Sequence, residues 1–177
     1  MKMPENLSTD RLLLRMLRTE DARLIFEGWA QDPEVVRYLI WRPHQSIEVT
    51  EEFVCSCILA WENQMHFAYM ITLKAYGEAI GMIDARIHPP EVELGYGLAR
   101  AHWGKGYMPE AVRAVIDWAF QQPSVYRVCA TTDLDNVASQ RVLEKVGMQC
   151  EGLLRKYIVH PNISDIPRDS YIYAITK

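Results

Sequence analysis

Residues 91–111 read EVELGYGLARAHWGKGYMPEA, and no other stretch narrows the possible folds as far. Val92, Leu94, Tyr96 and Leu98 alternate with Glu91, Glu93, Gly95 and Gly97, which is the two-residue period of a strand. The alternation ends at Gly104, Lys105 and Gly106. Ala111, Val112, Val115, Trp118 and Ala119 then form an apolar stripe near helical spacing. The chain here must run strand, glycine turn, helix. Paired glycines let successive backbone N–H groups converge into an anion-binding hollow. A helix starting near Pro109 adds the positive end of its dipole. The same glycines also suit a tight turn that binds nothing, and the loop alone leaves both readings open.

Two phosphate-binding patterns fail on residue identity. A P-loop needs a hydroxyl after its lysine to meet magnesium, but Lys105 is followed by Gly106, and Ala99 stands where the first glycine belongs. The dinucleotide fingerprint G-x-G-x-x-G fits Gly104 and Gly106 but meets Pro109 at its third glycine.

Around this unit, residues 11–17 (RLLLRML) read as a strand. Thr19 is placed to cap a helix running to about residue 30. Asp32 and Pro33 restart a helix, and Ser46 caps a longer one at about 47–62, with Val49, Phe53, Val54, Cys57 and Leu59/Ala60 as its apolar stripe. HFAYMITL and EAIGMIDARI form a hairpin whose turn includes Tyr76 and Gly77. YRVCATT is a strand, and Asp135 or Asn136 starts the helix NVASQRVLEKV, which Gly147 ends as a left-handed cap. QCEGLLRKYIV and SYIYAIT close the chain as strands. This order predicts one mixed α/β domain over residues 1–177.

Composition removes several function classes. A net charge of −4 argues against a general nucleic-acid binder. No apolar run approaches the ~20 residues of a membrane helix. MKMPENLSTDR lacks the apolar core of a secretory signal, so the expected location is cytoplasmic. The four cysteines form no CxxC and no Cys/His cluster, so reduced thiols and no metal site are expected.

Asn136, Ser139 and EKVGM follow the loop by one strand. With them the chain resembles the GNAT superfamily of acetyl-CoA-dependent N-acetyltransferases, in particular the bacterial ribosomal-protein N-terminal acetyltransferase branch. DRLLLRML, DPEVVRYL, ELGYGL, HWGKGYMPEAV, DLDNVASQRVLEKVGMQCEGLLRKY and PRDSYIYAIT carry the likeness in family order over nearly the whole chain. The resemblance implies the GNAT fold: a mixed, mostly antiparallel central sheet of about seven strands, splayed at a cofactor wedge, with helices on both faces. The activity implied is direct acetyl transfer from acetyl-CoA to a primary amine, on a protein N-terminus or a small molecule. The other reading is a non-catalytic acetyl-CoA binder that regulates a partner. No direct nucleic-acid or membrane partner is expected, and the chain is expected as a monomer or homodimer.

The resemblance also distributes roles. The family's motif [Q/R]-x-x-G-x-[G/A] falls on Trp103, Gly104, Lys105, Gly106, Tyr107 and Met108, with Gly106 as its obligatory glycine and Trp103 and Met108 departing from it. Backbone donors would hold the pyrophosphate. Lys105 either pairs with a phosphate or is solvated. The backbones of Leu94, Tyr96 and Leu98 would pair with the pantetheine arm, with their side chains in the core, and Gly95 and Gly97 would leave room on the other face. Asn136 matches the asparagine that contacts the arm, and also suits a helix N-cap. An N–H near Leu94 or Gly95 would meet the oxyanion. Glu93 is the expected general base, its proton affinity raised by burial. Its alternatives are an exposed ion-paired glutamate at the same position and Glu91 as base. Where many members carry a tyrosine acid this chain has Leu143, so Ser139 is expected to stabilise the leaving thiolate. Tyr38 and Trp41 would line the acceptor cleft, or serve as ordinary core residues.

Overall fold

The alternation at the centre of the chain does form a strand, β5 (Glu91–Leu98), and its neighbours set the architecture. The structure, a computed structural model, describes residues 3–64 and 66–177. In chain order the elements are β1 (Asn6–Ser8), β2 (Leu12–Met16), α1 (Asp21–Ile25), α2 (Pro33–Val36), α3 (Ile47–Glu62), β3 (Phe67–Leu73), β4 (Ala79–His88), β5, α4 (Tyr107–Gln121), β6 (Arg127–Asp133), α5 (Val137–Lys145), β7 (Gln149–Ile158) and β8 (Arg168–Thr176). The sheet has eight strands in the order β1-β2-β3-β4-β5-β6-β8-β7. Every neighbouring pair is antiparallel except β5–β6.

All seven residues of β3 are buried, because helices cover both faces of the sheet. On one face Tyr69, Ile71, Ile83, Val92 and Leu94 pack with Val112, Val115 and Ile116 of α4 and Leu143 of α5. On the other, Ala68, Met70 and Met82 pack with Ile25, Trp29, Val54 and Cys57 from the N-terminal helices.

Several local expectations shift. The sheet gains an eighth strand, β1, three residues long and too short and polar to show a period; its register with β2 makes it a strand. Helix α1 is capped at Glu20 rather than Thr19, and after Ile25 it widens into a π-helical turn, Phe26–Ala30, that buries Trp29 and Ala30. The buried stripe of α3 is Thr50, Val54, Cys57 and Trp61. Val49 and Leu59 are exposed, while Val54 and Cys57 are buried as expected and Thr50, hydrogen-bonded to buried His44, fills the place given to Val49. Ser46 is the α3 N-cap residue, but its hydroxyl makes no capping bond. Helix α4 starts at Tyr107, two residues before Pro109. Gly147 takes the left-handed conformation expected of it, and Gly77, in the expected turn, is left-handed as well.

Close approach of β4 and β5 requires Gly81. A Cβ there would press on the Gly97 carbonyl and lie 2.9 Å from the Leu98 Cα. Gly81→Ala is therefore expected to cost about 1–3 kcal/mol, read as a lower urea midpoint.

Acid stability has a traceable source. Buried Asp133 accepts from Arg168 at 2.6 and 3.0 Å and from the Asp135 N–H at 2.9 Å. Burial pushes its proton affinity up, but Arg168 and that N–H outweigh burial and hold it below the usual carboxylate range. A carboxylate depressed on folding stabilises above its unfolded pKa of ~3.9 and loses this as pH falls through the folded value. Arg168→Leu should therefore destabilise far more at pH 7 than at pH 2, measured by denaturant titration.

Candidate active site

The β5–β6 pairing holds for three residues, ending at Glu93↔Cys129. Beyond it β5 stays with β4 as far as Leu98, while β6 follows β8 as far as Asp133. The two strands part and leave a wedge. The Ala99 N–H donates to the Ile80 carbonyl at 2.8 Å. Antiparallel ladders alternate, so Gly97, Gly95 and Glu93 also bond toward β4, and the backbone groups of Leu94, Tyr96 and Leu98 face the gap. The Leu98 carbonyl is already occupied, accepting from the Trp103 indole N–H at 2.7 Å. The Glu93↔Cys129 pair takes up the Leu94 N–H, so the free edge narrows to the Leu94 carbonyl, Tyr96 and the Leu98 N–H, and Trp103 gains a bracing role its departure from the motif did not reveal.

The loop beside the wedge is a nest of free donors. Gly104 and Gly106 have φ of 74° and 79°, conformations that cost a side-chain-bearing residue about 1–2 kcal/mol. Gly106 is the α4 N-cap and supplies no side-chain cap. Among the described residues, the N–H groups of Gly104, Lys105, Gly106, Tyr107 and Met108 meet no backbone acceptor. They point their partial positive charge where the helix dipole adds to it. Met108 sends its side chain into the core, so the large residue at the motif's last position leaves the loop surface clear. Lys105 is exposed.

Arg11 shapes this loop from outside. It donates to the Lys105 carbonyl at 3.0 Å and to Glu110 at 2.6 Å, and its guanidinium lies 4.6 Å from the centre of the Tyr107 ring. Thr9 also donates to Glu110, at 2.5 Å. Sequence reading missed Arg11, because 94 residues separate it from Lys105 and no local pattern marks the contact.

Under the wedge, Asn136 is the α5 N-cap, its side-chain oxygen accepting from the Ser139 N–H at 3.2 Å. That uses the oxygen and leaves the amide N–H groups of Asn136 for other partners. Ser139 Oγ lies 2.9 Å from the Tyr96 hydroxyl. The phenol is buried, which pushes its pKa up and keeps it protonated. Tyr96 is thus more than a core residue, the role its side chain was assigned from alternation. Its parity with Leu94 marked the face but not the partner. Leu143 is fully buried.

On the opposite face Glu93 is partly exposed rather than buried as expected, and lies 3.6 Å from Arg86. Asp84 lies 3.3 Å from the same guanidinium. Glu91 pairs with Arg127 at 2.7 Å, outside the wedge. Cys129 stands opposite Glu93, but burial pushes its thiol up to about 12, and Cys57 up to about 11 for the same reason. Neither is a thiolate nucleophile at neutral pH. The Tyr38 hydroxyl donates to the Asp135 carbonyl at 3.2 Å, next to Asn136. The partly buried Trp41 ring lies tilted against those of His44 and Phe53, with centroids 4.7 and 6.2 Å apart. The β7–β8 connection closes this side. Asn162 donates to the carbonyls of Val36 and Trp41 at 2.7 and 2.8 Å.

Comparison with known proteins agrees with this geometry. Residues 11–149 match the acetyltransferase (GNAT) domain. The chain is 34% identical over 157 residues to the uncharacterized N-acetyltransferase p20 of Bacillus licheniformis, covering 86% of this chain and 87% of that one. It is 26% identical over 184 residues to the ribosomal protein uS5-alanine N-acetyltransferase of Escherichia coli, covering 96% and 90%. The crystal structure of a GNAT-family acetyltransferase from Bacillus anthracis matches with a TM-score of 0.83 at 28% identity, covering 97% and 98%. The chain belongs to the acetyltransferase (GNAT) family. It is an N-acetyltransferase whose acetyl donor is acetyl-CoA. The residues present fit that donor: free N–H groups for a pyrophosphate, and an unpaired strand edge for the amides of its arm.

Gly106→Ala should weaken acetyl-CoA binding about tenfold or more, through left-handed strain in the loop. Lys105→Ala should change it less than about threefold, as exposed pairs contribute little. Isothermal titration with acetyl-CoA separates the two.

Proposed function

We propose that the protein transfers acetyl directly from acetyl-CoA to a primary amine, with no covalent acyl-enzyme. The acceptor is a protein N-terminal α-amine or a small-molecule amine. The observation that carries this is the wedge: an unpaired β5 edge with a hydroxyl pair on one face and carboxylates on the other. In this reading the loop N–H groups at 104–108 hold the pyrophosphate, and Leu94 and Tyr96 hold the arm. When bound, acetyl-CoA supplies an activated thioester. A β5 N–H near Leu94 stabilises the developing oxyanion. Ser139, oriented by Tyr96, hydrogen-bonds the departing sulfur. Glu93 carries the acceptor's proton toward solvent. Asn136 keeps its amide N–H groups for the arm, and Tyr38 walls the acceptor cleft.

The relative named for alanine on ribosomal protein uS5 supports an α-amine acceptor. Such amines titrate at ~7.7–8.0 and shed a proton more easily than lysine at ~10.4. The cytoplasm is the proposed location. Among the described residues the four cysteines are all free, and no helix is long and apolar enough to cross a membrane.

A thiol-release assay tests the reading, using acetyl-CoA with peptides beginning in alanine or serine, polyamines and free amino acids. Turnover of at least one amine is expected; none across the panel would count decisively against it. Ser139→Ala should lower kcat about 100-fold, with acetyl-CoA affinity within about threefold. Tyr96→Phe should lower kcat about tenfold, the loss of one orienting hydrogen bond. Glu93→Gln should lose kcat chiefly below the acceptor's pKa, with KM unchanged, and an unaltered pH profile would remove Glu93 from the proton path.

A further inference from the structure

We infer that Asp84 is the group that receives the acceptor amine: it binds the incoming ammonium ion and takes its first proton. The inference rests on the acetyl-transfer reading above and deepens it. No motif points to Asp84, which sits in β4 amid GMIDARI.

Its position makes the case. Asp84 pairs across the ladder with Gly95, the second residue of β5 beyond its last contact with β6. The carboxylate does not stand over its own strand. It leans across β5, with Oδ1 2.5 Å from the point where a Gly95 Cβ would sit. The missing side chain at 95 is therefore what admits the carboxylate to the mouth of the wedge. Glu93 lies at the closed end, in the last β5–β6 pair. An amine approaching the opened edge from this face meets Asp84 first.

Charge supports the same assignment. Arg86 lies 3.3 Å from Asp84 and 3.6 Å from Glu93, so two carboxylates share one guanidinium. With both ionised the group carries one net negative charge, and an ammonium ion neutralises it. The other titratable groups acting on Asp84 are His66, before β3, and the Cys57 thiol of α3. Burial pushes Asp84 above the usual carboxylate range, against the opposing pull of Arg86 and His66. A carboxylate so poised is a better proton acceptor than a solvated one.

The proton account balances. The ammonium loses one proton to Asp84, which passes it to solvent by way of Glu93. The neutral nitrogen then bonds the thioester carbonyl carbon, and the C–S bond breaks. The second nitrogen proton ends on the sulfur as free thiol, so one proton is released per amide formed.

Asp84→Asn, nearly isosteric, tests this against two acceptors: an alkylamine with a pKa near 10 and an amine with a pKa near 6. With the alkylamine at pH 7.5, kcat/KM should fall about 100-fold, with KM raised, unlike Glu93→Gln. With the weakly basic amine, neutral without help, the variant should stay within about threefold of wild type. Acetyl-CoA affinity should not change. The variant should melt no lower than wild type at pH 8. A carboxyl raised on folding costs stability as pH rises above its unfolded value, and asparagine removes that cost. Equal losses with both amines, or no loss with either, overturn the role of Asp84 while leaving acetyl transfer intact. A wild-type protein that acetylates no amine overturns both.

Discussion

The site depends on a parallel ladder that stops early. Three residue pairs tie β5 to β6, and then each strand follows its other neighbour. Backbone N–H and C=O groups are rarely left unpaired in a sheet interior, so an edge opened in mid-sheet is an unsatisfied surface until something extended lies along it. Both flanking strands hold their conformation because β4 and β8 bind them on the outside. The wedge is therefore stiff, and a ligand entering it meets donors already in place.

That opening also divides the chemistry by face. Even-numbered β5 residues look toward α4 and α5, where Tyr96 and Ser139 form a protonated, buried hydroxyl pair. Odd-numbered residues look toward the N-terminal helices, where Arg86 joins Asp84 and Glu93. A leaving sulfur needs donors, and an arriving ammonium needs negative charge. Strand parity places hydroxyls and carboxylates on opposite sides of one backbone. The loop after β5 follows directly on this edge, and Arg11 braces it through the Lys105 carbonyl.

What could be read in advance was local or patterned. The strand–glycine–helix unit, the left-handed Gly147 and the Asn136 cap follow from conformational preferences of a few residues, and all are present. The stripe of α3 was misread at Val49 because its place is taken by Thr50, polar by composition but satisfied by His44. Trp41 was assigned to the cleft by likeness alone. Its ring lies tilted against those of His44 and Phe53.

By itself, the sequence determined the order of the longer elements, the glycine turn between β5 and α4 and the parity of β5, since each depends on spacing within about one helix or strand. Tertiary structure decided which groups meet. Arg11 meets Lys105, Tyr96 meets Ser139, and Asp84 reaches past Gly95 only once the sheet register is set. Register across strands depends on total packing of both sheet faces. No stretch of the chain carries that information alone.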